Sequence, residues 1–139
     1  MPKDAQQTRA ECWFLDVGQG TCNVILLGGG RAIVIDSGPQ GAYVPLRLLK
    51  RHVHTLEALV ISHNDADHDG GTARILQAYP KAIRQIYFLA DRPVKYMRTL
   101  ALIEAEGKRG NLLSEPKRLE ATDRPLVVYD DPELGLNQA

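Results

Sequence analysis

Short, mostly apolar runs separated by glycines open the chain. Glu11 to Val17, Cys22 to Leu27 and Arg31 to Asp36 follow this pattern, and glycines occupy the gaps at 18–20 and 28–30. Apolar runs of this length bounded by glycine are typical of β-strands joined by tight turns. The pattern therefore predicts three strands in an antiparallel meander with at least one buried face.

Helical and strand patterns alternate over the middle of the chain. Pro45 to His52 predicts a helix, because Leu46 and Leu49 share one face and proline suits a first turn. The nearly continuous apolar run Leu56 to Ile61 predicts a buried strand. The same criteria predict a helix over 72–79, a strand over 84–89 and a helix over 94–106. Signals weaken after Asn111, where 125–129 is a candidate for one more strand.

Composition indicates an ordinary globular chain. The 139 residues fit one domain, with 44% hydrophobic and 24% charged positions. Net charge is zero, so no overall field attracts nucleic acid or a membrane. Ten basic against six acidic residues over 81–124 could contact phosphates, although a solvated face is the simpler interpretation. No apolar run approaches the roughly 20 residues that span a bilayer.

The cysteines and the first ten residues bear on location. Cys12 and Cys22 lie in apolar runs, which favours two buried thiols over a disulfide. Residues 1–10 are polar, lack the apolar core of a signal peptide and are expected to be flexible. Both observations favour a cytoplasmic location.

The densest group of candidate ligands directly follows the predicted buried strand. Residues 62–71 read SHNDADHDGG, with two histidines and three aspartates within seven positions before two glycines. Imidazole and carboxylate groups suit zinc, manganese or iron, and glycine allows a sharp turn. An acidic, solvated loop with incidental histidines is the alternative. His52 and His54, at the end of the first predicted helix, are expected to be solvated or to balance the helix dipole rather than bind metal.

Two aspartates end predicted strands. Asp16 and Asp36 each close an apolar run, where a carboxylate either caps nearby backbone N–H groups or hydrogen-bonds to metal ligands. The pattern alone leaves both roles open.

Three motifs, in order, resemble those of the metallo-β-lactamase superfamily. They are FLDVGQG at 14–20, IDSG at 35–38 and SHxDxDHxGG at 62–71. Together they are most similar to the branch that contains the nuclease-like domain of the competence protein ComEC. The metal motif is commonly HxHxDH, and Asp65 stands here at the position of the second histidine. The resemblance is strong over residues 11–72 and weak beyond them.

The resemblance implies an α/β fold, classed as α+β in some schemes. The expected architecture is the metallo-β-lactamase-like αββα sandwich, of which this chain supplies mainly the first half. That half is a mixed β-sheet with helices on its outer face. After a flexible N-terminus at 1–10, residues 11–139 are therefore expected to form one N-terminal half-domain.

The resemblance also implies a metal-dependent hydrolase. His63 would ligate a first ion, Asp67 and His68 a second, and Asp65 would be a further ligand or the partner of one. Asp67 would also accept a proton from the attacking water. One or two ions of zinc or manganese are implied, because an oxygen donor at Asp65 favours harder metals. The same departure favours phosphodiester cleavage, as by a nuclease, over thioester hydrolysis of the glyoxalase kind.

The sequence after the motif lacks recognisable further ligands. No histidine follows His68, and the later aspartates at 91, 123, 130 and 131 stand in no familiar motif. A catalytic zinc site needs three protein ligands and an open position, so one loop cannot complete a two-ion site. We therefore expect a missing second half, a partner chain or a homodimer. An incomplete half-domain that acts as a binding or regulatory module is the alternative function.

Overall fold

The computed structural model describes residues 10–18, 20–39, 44–62, 71–89 and 93–119. The predicted strand at 125–129 and the flexible stretch predicted at 1–10, apart from its last residue, lie outside these ranges. The strands are β1 Glu11–Phe14, β2 Asn23–Gly28, β3 Arg31–Ile35, β4 Thr55–Ile61, β5 Ile86–Leu89 and β6 Lys117–Leu119. The helices are α1 Val44–His52, α2 Thr72–Ala78 and α3 Pro93–Lys108.

Within the described ranges the strands form one mixed sheet in the order β1-β2-β3-β4-β5-β6. The first three strands pair antiparallel, which confirms the predicted meander. β4 joins β3 in parallel, and β5 and β6 continue that parallel half. Because parallel strands end at the same edge, the carboxyl ends of β3, β4 and β5 lie at one rim of the sheet.

One face of the sheet carries the helices and the main hydrophobic core. Leu49 of α1, Ile75 of α2 and Ile103 of α3 are buried against apolar side chains of β2 to β5. The predicted apolar face of α1 is confirmed, because Leu49 is buried and Leu46 is half-buried. The α/β class and the helix-covered mixed sheet therefore agree with the fold expected from the sequence.

The opposite face of the sheet is also apolar. Ile33, Ala58 and Val60 are buried there, with Ile25, Leu27, Ile35 and Tyr87 partly buried around them. Phe14 lies in register with Asn23 and, across β3, with Ile35 and Val60, and its side chain is 81% exposed. A sheet that is apolar on both faces is typical of a layer with structure on each side.

A buried carboxylate marks an irregularity between β3 and β4. Ala32 pairs with Leu56 and Ile33 with Ala58, so Glu57 is the extra residue of a bulge. One carboxylate oxygen of Glu57 lies 2.9 Å from Arg84 Nη1 and the other lies 3.7 Å from Arg31 Nη1. The two guanidinium groups stabilise the charge of a side chain that burial alone would disfavour.

Some expectations need correction. Cys22 is buried as predicted, but Cys12 is exposed, because it lies on β1 at the edge of the sheet. The strand predicted at 84–89 begins at Ile86, and only an isolated bridge between Leu56 and Ile83 precedes it. The short strand β6 was not anticipated.

In the part of the chain that the structure describes, no helix has the length and apolarity needed to cross a membrane.

Candidate metal centre

The predicted ligands fall between two described segments. His63, Asp65, Asp67 and His68 lie in residues 63–70, outside the described ranges. Among the residues that are described, no group of three or more histidine, cysteine, aspartate or glutamate side chains could hold a metal. What the structure does define is how the chain is held immediately before and after this segment.

Asp36 holds the residue that precedes the predicted ligands. It follows β3 at the rim and is buried, and its φ of 61° lies in the left-handed region that aspartate tolerates better than most residues. Its Oδ1 accepts a hydrogen bond from the backbone N of Ser62 at 2.7 Å, and its Oδ2 accepts one from Ser62 Oγ at 2.5 Å. The ends of β3 and β4 are thereby joined at Ser62, the residue that precedes His63 in the sequence.

The same aspartate reaches the turn between β1 and β2. Thr21 Oγ1 donates to Asp36 Oδ2 at 3.3 Å, and the backbone N of Gly38 donates to the Thr21 carbonyl at 2.9 Å. Gly38 has a φ of 71°, and a Cβ added there would lie 3.3 Å from Cβ of Val17. The second motif therefore packs against Val17 of the first motif and is hydrogen-bonded to Thr21, which directly follows the first motif.

Asp16 behaves differently from Asp36. It is exposed, and its Oδ1 accepts a hydrogen bond from the backbone N of Gly18 at 3.2 Å. This is the local cap that a turn aspartate often provides. A role for either aspartate in holding a metal ligand stays a prediction, although Asp36 is bonded to the neighbour of one predicted ligand.

The residues after the predicted ligands are held by the same turn. The backbone N of Gly71 donates to the Gly38 carbonyl at 3.1 Å. Next to it, the hydroxyl oxygens of Ser37 and Thr72 lie 3.1 Å apart, and both side chains are buried. Asp36, Ser37 and Gly38 thus contact the chain on both sides of residues 63–70, through Ser62 on one side and through Gly71 and Thr72 on the other.

The buried thiol beneath the rim is not a candidate ligand in its neutral form. Burial, and secondarily the negative charge of Asp36, raise the pKa of Cys22 from 9.0 to about 12. Cys22 is therefore a protonated thiol at neutral pH, whereas metals and electrophiles react with the thiolate. His52 packs its ring edge-on against Trp13, with centroids 5.2 Å apart.

Sequence reasoning missed the hydroxyl residues of this arrangement. Ser62 is the first residue of the metal motif, Thr72 directly follows the motif, and Ser37 follows the aspartate of the second motif. Their signal was present as small polar residues, Ser37 and Ser62 shortly after apolar strands and Thr72 at the start of a helix. Only the pairing of β3 with β4 brings them together.

The donor set of residues 63–68 fits a divalent transition metal. Two imidazoles and two carboxylates stand within six positions, and these are the groups that zinc and manganese accept in proteins. Asp36 is the one charged residue of the turn at 36–38. Its carboxylate oxygens accept hydrogen bonds from Ser62 and Thr21.

Comparisons with known proteins agree with this picture. The family profile described as the metallo-beta-lactamase superfamily matches residues 15–135. The chain is 42% identical over 72 residues to recombination protein 2 of Haemophilus influenzae, across 48% of this chain and 9% of that protein. It is 34% identical over 79 residues to hydroxyacylglutathione hydrolase of Francisella philomiragia, across 57% of this chain and 30% of that protein.

A third relative is the uncharacterized protein YcaI of Escherichia coli. It is 38% identical over 84 residues, which cover 54% of this chain and 11% of that protein. The chain therefore spans less than a third of the length of each of these relatives.

Proposed function

Because this chain belongs to the metallo-beta-lactamase superfamily, we propose that it is part of a metal-dependent hydrolase that cleaves phosphodiesters. The observation that carries the proposal is the position of the turn at 36–38. It bonds to Ser62 and to Gly71, the residues on either side of the segment that contains HxDxDH. A segment rich in ligands that is held at both ends suits a site whose ligands must be placed accurately.

The proposal assigns each ligand a role. His63, Asp67 and His68 hold one or two ions of zinc or manganese, and Asp65 is a further ligand or the partner of one. An ion held there would lower the pKa of water toward neutrality and would polarise the bond under attack. Asp67 accepts the proton of the attacking water. Asp36 and Asp16 act behind the ligands, Asp36 by holding Ser62.

The choice of a phosphodiester rests on Asp65 and on a relative. An oxygen donor at Asp65 favours harder metals, which suit phosphate oxygens. The relative named recombination protein 2 is consistent with a nucleic-acid substrate. A thioester is the second candidate, because another relative is named for the hydrolysis of hydroxyacylglutathione.

The rest of the ligand set is proposed to come from outside residues 63–68. The sequence has no histidine after His68, and four donors on one segment cannot complete two catalytic ions. A second half-domain, a partner chain or a second copy would supply the remainder. Without it the chain would be a binding or regulatory module with weak or no metal affinity.

Metal content and hydrolysis test the proposal together. If a second copy of the chain completes the site, purified chain without chelator is expected to retain zinc or manganese and to hydrolyse a bis-nitrophenyl phosphate faster than a thioester. Asp67→Ala is expected to abolish hydrolysis, whereas Glu104→Ala, which removes an exposed carboxylate of α3, is expected to leave it unchanged. Activity that survives Asp67→Ala would refute the assigned roles.

The same preparation separates the alternatives. Faster turnover of the thioester would replace the phosphodiester with the second candidate. Metal content well below one ion per chain with no turnover would support the module, and content near two would mean that other ligands are present. Sedimentation then tests whether a partner chain is needed. A monodisperse monomer that holds two ions would contradict that need.

A further inference from the structure

The hydroxyl groups of Ser37 and Thr72 lie at the end of the metal segment where Asp67 and His68 are closest in sequence. Their oxygens are 3.1 Å apart, and the two side chains are 2% and 0% exposed. Buried hydroxyls are costly unless they are hydrogen-bonded, so this contact resists separation of the turn from α2. Neither residue belongs to the predicted ligand set.

Close backbone packing reinforces the hydroxyl contact. Gly71 N donates to the Gly38 carbonyl at 3.1 Å, and a Cβ added at Gly71 would lie 2.6 Å from the Ser37 carbonyl oxygen. Because that oxygen is backbone, it cannot rotate away from a larger side chain. The approach of the two segments therefore depends on glycine at position 71.

The two ends of the segment are held by different chemistry. On the amino-terminal side, a buried carboxylate accepts two hydrogen bonds from Ser62. On the carboxyl-terminal side, a hydroxyl pair and one backbone bond hold Gly71 and Thr72. The Ser37 and Thr72 hydroxyls, the Gly71 N–H and the Gly38 carbonyl are all uncharged groups. Neutral substitutions can therefore weaken this attachment while the charge near the metal stays constant.

We propose that Ser37 and Thr72 are positioning residues that set metal affinity by fixing the carboxyl-terminal end of the segment that carries Asp67 and His68. The inference rests on the proposed function, which makes those residues ligands. A ligand whose supporting contact is lost must be ordered by the metal itself, and such losses typically weaken metal binding about 10- to 100-fold. The ion held by Asp67 and His68 is the one affected most.

Isosteric substitution of Thr72 tests the inference on the full chain. Thr72→Val removes the hydroxyl and keeps the shape, and Thr72→Ser restores a hydroxyl. In titrations of the metal-free chain with zinc and with manganese, Thr72→Val is expected to bind about tenfold more weakly. The metal affinity of Thr72→Ser is expected to stay within about threefold of the parental value, because serine keeps the hydroxyl that makes the hydrogen bond.

A matched control separates positioning from general destabilisation. Tyr79→Phe removes another buried hydroxyl just after α2, where Tyr79 Oη donates to the Val53 carbonyl at 3.0 Å. It is expected to lower stability but to leave metal affinity at the parental value. Equal affinity in Thr72→Val and the parent, or an equal loss in Tyr79→Phe, would overturn the inference.

Hydrogen exchange of the metal-free chain keeps the test independent of the proposed function. Thr72→Val is expected to speed exchange of the amides of residues 63–70 relative to the parent, and Tyr79→Phe is not. If the parent binds no metal, the proposed function fails, and the exchange result still decides whether Ser37 and Thr72 fix the segment. Unchanged exchange in Thr72→Val would refute the positioning role.

Discussion

The carboxylate of Asp36 accepts two hydrogen bonds from Ser62, one from the backbone N at 2.7 Å and one from the hydroxyl at 2.5 Å. The two residues follow β3 and β4, which pair in parallel. The bonds therefore continue the pairing of those strands past the point where the ladder ends. The second bond depends on a small hydroxyl residue next to His63.

Replacing Asp36 is expected to destabilise the chain in a definite order. Asp36→Ala removes the two bonds from Ser62 and the one from Thr21, and it forces alanine into a left-handed backbone. The unfolding free energy should fall by about 2–4 kcal/mol. Asp36→Asn tolerates that backbone and can still accept from Ser62 N, so a loss of about 1–2 kcal/mol is expected. Urea unfolding measures both.

Ser62→Ala isolates the hydroxyl bond. The backbone N of residue 62 still donates, so a loss of about 1 kcal/mol is expected. Asp16→Asn serves as the control, because Asp16 is exposed and an amide oxygen can keep the bond from Gly18 N. A loss in Asp16→Asn as large as that in Asp36→Asn would contradict the special position of Asp36.

Substitution by alanine is expected to lower the unfolding free energy at Gly71 and to raise it at Gly107. At Gly71 the new Cβ would lie 2.6 Å from the Ser37 carbonyl oxygen, so overpacking should cost about 1–3 kcal/mol. At Gly107, inside α3, it would lie 3.7 Å from the nearest atom, a Cδ1 of Leu112. Alanine favours helix there, and a gain of about 0.5–1 kcal/mol is expected.

Thermal or urea unfolding of the two alanine variants side by side checks this pair. Destabilisation at both positions would mean that loss of glycine itself is harmful. Equal stability of Gly71→Ala and the parent would mean that the turn at 36–38 and α2 can separate without cost.

Local sequence patterns predicted much of the sheet. The meander followed from short apolar runs divided by glycines, and β4 from a run that is apolar apart from Glu57. β6 could not be found this way, because the strand has only three residues and two of them, Lys117 and Arg118, are exposed. Its pairing with β5 depends on tertiary structure, as does the exposure of Cys12 on the edge strand β1.

For the candidate site too, the sequence predicted the types of residue present but not the contacts between distant residues. Ligand types crowded into 63–68 were visible in the sequence, and so was Asp36 as an aspartate at a strand end. Which groups Asp36 and Ser37 contact was not visible, because Ser62 and Thr72 lie 26 and 35 residues away, respectively, in the chain. Those contacts follow from the parallel pairing of β3 with β4, which no local pattern fixes.

Because Arg84 pairs with the buried carboxylate of Glu57, its loss is expected to lower the unfolding free energy more than the loss of an exposed arginine normally does. Breaking a buried ion pair typically costs about 3–5 kcal/mol. The side chain of Arg84 is 57% exposed and Arg31 remains at 3.7 Å, so solvent screening reduces the expected loss in Arg84→Met to about 1–2 kcal/mol.

Urea unfolding at low and high salt measures the Arg84 effect. Arg47→Met, at an exposed position of α1, is the matched control and is expected to change stability by less than about 0.5 kcal/mol. If the two variants lose the same amount, Glu57 does not depend on Arg84.

The buried thiol of Cys22 is expected to make stability fall at alkaline pH. Its pKa is about 12 in the folded chain and near the ordinary 9.0 after unfolding. Between these values the folded state keeps a proton that the unfolded state releases, so the unfolding free energy declines as pH rises, by at most about 1.4 kcal/mol per pH unit. Tyr79 contributes in the same direction, because burial also raises the pKa of its phenol.

Cys22→Ala separates the thiol from the phenol. The variant is expected to lose stability through its missing sulfur at all pH values but to decline less steeply above pH 9 than the parent. Cys12→Ala, at an exposed position on the edge strand, should keep the parental slope. Urea unfolding at intervals from pH 8 to pH 11 measures the slopes. Identical slopes for Cys22→Ala and the parent would show that Cys22 loses its proton equally well in the folded chain.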